Sequence, residues 1–147
     1  MQEVEAICDD VIIINIAGKN DQTTHFGLAQ QVRVQPFQRE PFELVAQHDV
    51  YLHTCLIEGF GNSMIEALAV GVPVIATDCD FGPREIVMQG INGLLVPQHD
   101  VAAFARAMAE IKTLPMERLR MAARDSAQRS ISSRSFSGVS RAWPRTL

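Results

Sequence analysis

No apolar run in this chain is long enough to cross a bilayer. The longest, Val11–Ala17 broken by Asn15 and Val70–Ala76 broken by Gly71 and Pro73, fall well short of the roughly 20 residues that a membrane-spanning helix needs. Cysteine is scarce. Cys8, Cys55 and Cys79 are odd in number and far apart, which argues against a disulfide framework or a zinc knuckle and for buried thiols in a reducing compartment. Positive charge is sparse in the body of the chain, where Met1 to Met116 holds 15 acids against 6 Lys and Arg. The 7 arginines from Glu117 onward are spaced out and mixed with Ser, unlike the clustered basic footprint of a nucleic-acid binder. No nucleic-acid partner is expected. The acidic N-terminus has no basic segment leading into an apolar stretch, so it does not read as a secretory signal, and a cytoplasmic location is the expectation.

What is present is enough hydrophobic chain for one domain: 147 residues, 47% hydrophobic and 20% charged, can bury a sizeable core. Short β-branched runs at Val11–Ile16, Val32–Gln35, Val50–His53, Val74–Ala76 and Leu94–Val96 have the composition of buried parallel strands. Between them, Pro41–His48 and Ser63–Val70 read as helices, the second stopped by Gly71 and Pro73, and Arg84–Gln89 as a helix entered through Pro83. Asn92-Gly93 is a turn. Asp100 caps a helix over Val101–Lys112, whose Val101, Phe104, Ala105, Met108 and Ile111 share a face, and a further helix covers Met116–Gln128. Alternating strands and helices predict an α/β fold, a doubly wound and mainly parallel sheet with helices on both faces. The predicted organisation is a domain over residues 1–128 and a Ser/Arg-rich tail over 129–147, partly helical or disordered.

The stretch that carries chemistry is Glu58-Gly-Phe-Gly-Asn-Ser-Met-Ile-Glu66. Two carboxylates bracket a glycine-rich turn that opens a helix. A helix start presents unpaired N–H groups and the positive end of its dipole to a phosphate, and glycines at 59 and 61 allow close approach of the backbone. Each carboxylate has two acceptor oxygens suited to vicinal hydroxyls. A nucleotide sugar, with a hydroxyl-bearing ring on either side of its pyrophosphate, matches that layout. Ligands of such sheets bind beyond the carboxyl ends of the strands, which places Thr54–Ser63 and Thr77–Pro83 on one rim.

From about Asp49 to Ile111 the chain resembles the C-terminal, donor-binding half of retaining glycosyltransferases of the GT-B fold, family 4 type. The resemblance rests on Glu58 and Glu66 in an E-x(7)-E pair around Gly-Phe-Gly, on Glu66-Ala-Leu-Ala-Val-Gly-Val-Pro-Val-Ile-Ala-Thr77, on Gly82-Pro-Arg-Glu-Ile-Val87, and on Asn92-Gly-Leu-Leu-Val-Pro97 followed by Asp100. It implies a Rossmann-like half of a GT-B fold, here without its first strand and helix, and transfer of a hexosyl group from a nucleoside-diphosphate sugar to an acceptor hydroxyl with retention. It implies that Glu58 contacts donor-sugar hydroxyls, as the catalytic residue. It also implies that Gly59, Phe60, Gly61, Asn62 and Ser63 line the sugar and phosphates, that Glu66 holds the ribose, and that the base lies near Pro36 and Phe37. No metal or further cofactor is implied, the nucleotide sugar being the donor substrate. The partner implied is an N-terminal acceptor-binding domain or subunit, and the intact enzyme would be cytoplasmic or peripheral to a membrane.

The departures matter. The acceptor half is absent, as are the Arg and Lys that the family brings to the phosphates, so the chain by itself is expected to be an incomplete enzyme; Lys19 and Arg84 are candidate substitutes. Competing readings stay open. Ser63 and Glu66 have the spacing of a capping box, and Phe60 fits plain core packing. Asp78-Cys-Asp80 resembles the D-x-D metal motif of another glycosyltransferase fold but falls in a variable loop. His48, His53 and His99 lack metal-ligand spacing along the chain. A second functional reading is a non-catalytic nucleotide-sugar-binding module or remnant that pairs with a separate subunit. A third is a flavodoxin-like domain that accepts phosphate on Asp78.

Overall fold

The computed structural model describes residues 11–14, 32–35 and 41–133. The chain divides into two compact units, Met1–Pro41 and Phe42–Leu147; the domain expected over 1–128 spans both, and each is described by itself. In the first, β1 (Val11–Ile14) pairs in parallel with β2 (Val32–Gln35), Val11 opposite Val32. Lys19, Pro36 and Phe37 lie outside the described residues, as do Cys8 and the tail beyond Ser133.

The second unit runs α1 (Phe42–Ala46), β3 (Tyr51–His53), α2 (Asn62–Ala69), β4 (Val74–Asp78), α3 (Pro83–Ile86), β5 (Gly93–Pro97), α4 (Val101–Ile111) and α5 (Met116–Ser133). Its sheet has the order β3-β4-β5, all parallel, with His53 opposite Ala76 and Asp78 opposite Pro97. Alternation along β4 sends its side chains to two cores. Val74 and Ala76 pack with Met64, Leu68 and Ala69 of α2 and with Ala123 and Ala127 of α5. Ile75, with Leu94 and Val96 of β5, packs against Ala107 and Ile111 of α4 and Leu119 of α5. Helices therefore cover both faces of this sheet, as the α/β reading requires, and β4 is buried on both sides.

Local chemistry sets the helix ends. Asp100 accepts a hydrogen bond from the Ala103 amide at 2.7 Å and caps α4 as its sequence predicts. At the C-terminus of α2, Gly71 adopts a left-handed φ of 83°, the Val72 amide reaches the Ala67 carbonyl and the Gly71 amide reaches Leu68. That pair of bonds is a Schellman closure, which a residue without Cβ accommodates at least cost. α3 is shorter than expected: Pro83 starts it, but Val87 is already extended, because buried Asn92 holds the following turn, accepting from the Met88 amide at 2.7 Å and donating to the Ile86 carbonyl at 3.0 Å.

α5 is longer than composition suggests, continuing through the Ser-rich segment to Ser133. Ser126 Oγ donates to the Ala122 carbonyl one turn back, and the small Ala123 and Ala127 fit against α2. Hydroxyls satisfied inside a helix no longer compete with it. Among the described residues no helix is long and apolar enough to cross a membrane.

Candidate functional site

Because β3, β4 and β5 are parallel, the segments leaving their C-terminal ends meet on one rim. The loop between β3 and α2 carries Glu58, and three contacts fix it there. Thr77 Oγ1 donates to the Cys55 carbonyl at 2.5 Å, Gln98 Nε2 donates to the Leu56 carbonyl at 2.7 Å, and the Sγ atoms of Cys55 and Cys79 are 2.9 Å apart. Gly82, in the loop after β4, lies so close that a Cβ there would stand 2.9 Å from the Phe60 carbonyl oxygen and 3.1 Å from Cγ of Glu58. The two loops named by the sequence form one surface.

Glu58 turns back toward its own loop. Its Oε1 accepts from the amides of Gly59 at 3.0 Å and Phe60 at 3.4 Å, and His53 Nε2 lies 2.9 Å from Oε2, where an ionised carboxylate can only accept. Burial pushes the Glu58 carboxyl up, but the bonds from His53 and from the two amides outweigh it and hold the group below its ordinary range. Three donors leave one of the roughly four lone-pair sites of a carboxylate for a hydroxyl. The Gly59 and Phe60 amides are aimed at Glu58, so of the amides that the sequence offers to an anion, those at the start of α2 remain.

That start is uncapped by any side chain. Gly61 occupies the cap position with φ 86°, and its carbonyl takes the amides of Met64 and Ile65, while the first-turn amides belong to Asn62 and Ser63. A Cβ on Gly61 would stand 2.1 Å from Met64 Cε and push it aside, and its residue would have to adopt the left-handed φ, so glycine suits this corner best. Beside Gly59, by contrast, a Cβ would meet nothing within 4 Å. Ser63 is the second helical residue rather than the cap, so the capping box with Glu66 does not form.

The Ser63 hydroxyl instead neighbours the phenol of Tyr51. Burial pushes that phenol up; the Ser63 hydroxyl works against the rise, and the charges of Glu66 and then Glu58 add to it. The charges of both carboxylates thus reach one phenol. Glu66 is half-buried on α2, and burial raises its carboxyl above the ordinary value.

Sequence reasoning gave no functional role to Tyr51 or His53. They stand two apart on β3 with rings stacked at 6.2 Å, and the two-residue period of a strand, applied to the residues just before Glu58, was the available signal. His53 lacks metal-ligand spacing along the chain, but its ring nitrogen, Cys55 Sγ and a Glu58 oxygen lie within 4.8 Å of one another, a grouping of atom types that can ligate a cation. The sequence hides it because β3 and its loop curl back on themselves. Each of these atoms has a protein partner, Glu58 and His53 in each other and Cys55 in Cys79. Asp78, the first acid of the D-x-D sequence, is paired with Arg84, so the guanidinium named as a substitute countercharge for a diphosphate faces a neighbouring loop acid instead.

The family model described as glycosyl transferases group 1 matches residues 1–113. The chain belongs to that family. This glycosyltransferase segment is 34% identical over 101 residues to the lipopolysaccharide core biosynthesis glycosyltransferase LpsE of Rhizobium meliloti, an alignment covering 69% of this chain and 29% of that protein. It is 39% identical over 72 residues to the lipopolysaccharide 1,6-galactosyltransferase of Escherichia coli, covering 46% of this chain and 20% of that one. The crystal structure of Anabaena HepE in complex with UDP superposes with a TM-score of 0.74 at 25% identity, covering 86% of this chain and 39% of that chain. The segment therefore spans less than a third of these two sequence relatives, and the GT-B architecture read from its motifs is the one its structural relatives share.

Proposed function

We propose that this domain binds a nucleoside-diphosphate sugar and serves as the donor half of a hexosyl transfer to an acceptor hydroxyl with retention. The observation that carries the reading is the uncapped start of α2 between Glu58 and Glu66, both within electrostatic reach of Tyr51. The pyrophosphate sits against the amides of Asn62 and Ser63, where the helix dipole favours an anion. Gly59, with open space beside it, and Phe60 and Gly61 bound the sugar. Glu58 accepts a sugar hydroxyl on its remaining lone pair, held in place by His53. Glu66, relieved of any capping role, accepts from the ribose. The UDP bound in the Anabaena relative supports a uridine nucleotide as the first ligand to try.

In this scheme the nucleotide sugar is a substrate and no further cofactor is used. As the diphosphate departs and the sugar gains oxocarbenium character, the domain orients the donor and offers the helix start to the developing charge. The acceptor site comes from an N-terminal domain or a separate subunit, and the chain alone does not turn over. Arg84, engaged by Asp78, has its charge partly offset by that carboxylate, which favours a basic countercharge from elsewhere. The same pairing keeps alive a second reading, a nucleotide-sugar-binding module without catalysis.

The test is a calorimetric titration of the chain with uridine and guanosine diphosphates and their sugars, repeated with Glu66→Ala and Glu58→Gln. Glu66→Ala weakens nucleotide and sugar nucleotide alike, by roughly 1.5–3 kcal/mol for one lost bond to a charged group; Glu58→Gln, which keeps the loop bonds, weakens only the sugar-bearing ligand. Equal affinities in all three proteins would remove both assignments. Adding an acceptor-domain partner and assaying transfer separates a split enzyme from a binding module.

A further inference from the structure

The geometry points to Cys55 and Cys79 as a reversible disulfide switch that fastens the loop carrying Glu58 to the loop after β4. The two thiols come from neighbouring parallel strands: His53 and Ala76 are in register, Cys55 and Cys79 follow them onto the rim, and the Sγ atoms already stand 2.9 Å apart. Continued past His53, that register sets Cys55 opposite Asp78, one residue before Cys79, and a disulfide accepts a range of Cα separations of roughly 4.4–6.8 Å. Neither thiol has a part in the donor cradle described above.

The two differ in a way that orders the chemistry. Cys55 is partly exposed, whereas Cys79 is fully buried. An external disulfide cannot reach the buried Cys79, so this thiol enters second. A low-molecular-weight disulfide is the oxidant. The Cys55 thiolate attacks one of its sulfurs, forming a mixed disulfide and releasing one small thiol. Cys79 then gives up its proton and attacks Sγ of Cys55, closing the protein bond and releasing the second small thiol. Two protein thiols are oxidised and one external disulfide is reduced to two thiols.

Closing the bond brings the sulfurs together by about 0.9 Å, to the roughly 2.05 Å of a disulfide. Cys55 is three residues before Glu58, while α2 is anchored independently by buried Met64 and Ile65. The functional consequence rests on the donor-binding reading: oxidation displaces Glu58 and leaves the phosphate cradle in place. Sugar nucleotide then binds several-fold more weakly than to the reduced chain, and the nucleoside diphosphate binds equally to both.

The experiment equilibrates the purified chain in mixtures of reduced and oxidised glutathione, traps free thiols and maps peptides by mass. The expected result is a Cys55–Cys79 cross-link that dithiothreitol reverses and that persists in Cys8→Ser, with Cys79→Ala stopping at glutathione on Cys55. Separate glutathione adducts on the two cysteines, both remaining free, or links to Cys8 instead would overturn the switch. Identical affinity for the sugar nucleotide before and after cross-linking would overturn its control of the site. A reduced chain that binds no nucleotide would count against the donor reading alone, because the thiol map needs no ligand.

Discussion

His53 Nε2 and Glu58 Oε2 are 2.9 Å apart across the turn that leaves β3. With the amides of Gly59 and Phe60 on the other oxygen, this bond makes Glu58 a structural tie as well as a candidate sugar ligand. A carboxyl held below its ordinary value in the folded state contributes stability above its unfolded value and loses it as pH falls through the folded one. Urea midpoints of the native chain should therefore fall, as pH drops below the ordinary glutamate value, more steeply than those of Glu58→Gln. The side chain keeps 25% of its exposure, so solvent screening limits the difference to about 1 kcal/mol or less. Parallel profiles would mean the tie contributes nothing.

Glu66 has the opposite sign. Its carboxyl is raised by burial, so the folded chain binds that proton more tightly than the unfolded chain does. Stability falls as pH rises from the unfolded value through the folded one, and at neutral pH the full penalty is present. Replacing Glu66 by Gln removes the charge and should raise the urea midpoint at neutral pH, with no gain at a pH below both values. The same variant should bind uridine diphosphate more weakly. Gain of stability with loss of ligand is the pattern of a residue kept for binding, and a variant less stable at neutral pH would contradict the burial argument.

Gly59 and Gly61 separate packing from ligand access. Gly61→Ala forces a side chain into a left-handed φ and against Met64 Cε, and should cost roughly 1–3 kcal/mol by chemical denaturation. At Gly59 a Cβ meets no protein atom within 4 Å, so Gly59→Ala should change stability by no more than about 0.5 kcal/mol. If the donor sugar occupies that space, Gly59→Ala nevertheless weakens the sugar nucleotide. Unchanged binding in a stable Gly59→Ala protein would move the sugar elsewhere.

Sequence patterns made the sheet legible where burial is two-sided. Val74, Ile75 and Ala76 form a continuous apolar run because α2 with Ala123 and Ala127 of α5 covers one face of β4, and α4 with Leu119 of α5 the other. Gly61 stood out in the sequence as a residue that lets the backbone approach closely, whereas its left-handed φ of 86° at the helix entry is a backbone property that composition does not state. The span of α5 was not legible: Ser126, Ser130, Ser132 and Ser133 make its end read as loose chain, whereas Ala123 and Ala127 supply the small surface that α2 packs upon. The rim contacts escaped for a different reason. Cys55 and Cys79 are 24 positions apart, and only strand pairing brings them together; His53 reaches Glu58 because the loop folds back, which no periodicity encodes.

Asn92 joins the motif Asn92-Gly93-Leu-Leu-Val-Pro97 to the rim by a route the sequence conceals. Read as a turn residue it would be solvated, yet it is fully buried, its amide oxygen taking the Met88 N–H and its nitrogen giving to the Ile86 carbonyl. Those bonds end α3 and set where β5 begins. Asn92→Ala leaves a buried donor and acceptor without their partners, costing about 1–3 kcal/mol for each group that water cannot reach. Asn92→Leu restores volume but no bond and should be no better. Since α3 and the loop before it lean on Phe60 and Glu58 through Gly82, the amide hydrogen exchange of residues 58–61 should quicken in Asn92→Ala along with that of 86–88. Faster exchange confined to 86–88 would show that the turn and the rim are uncoupled.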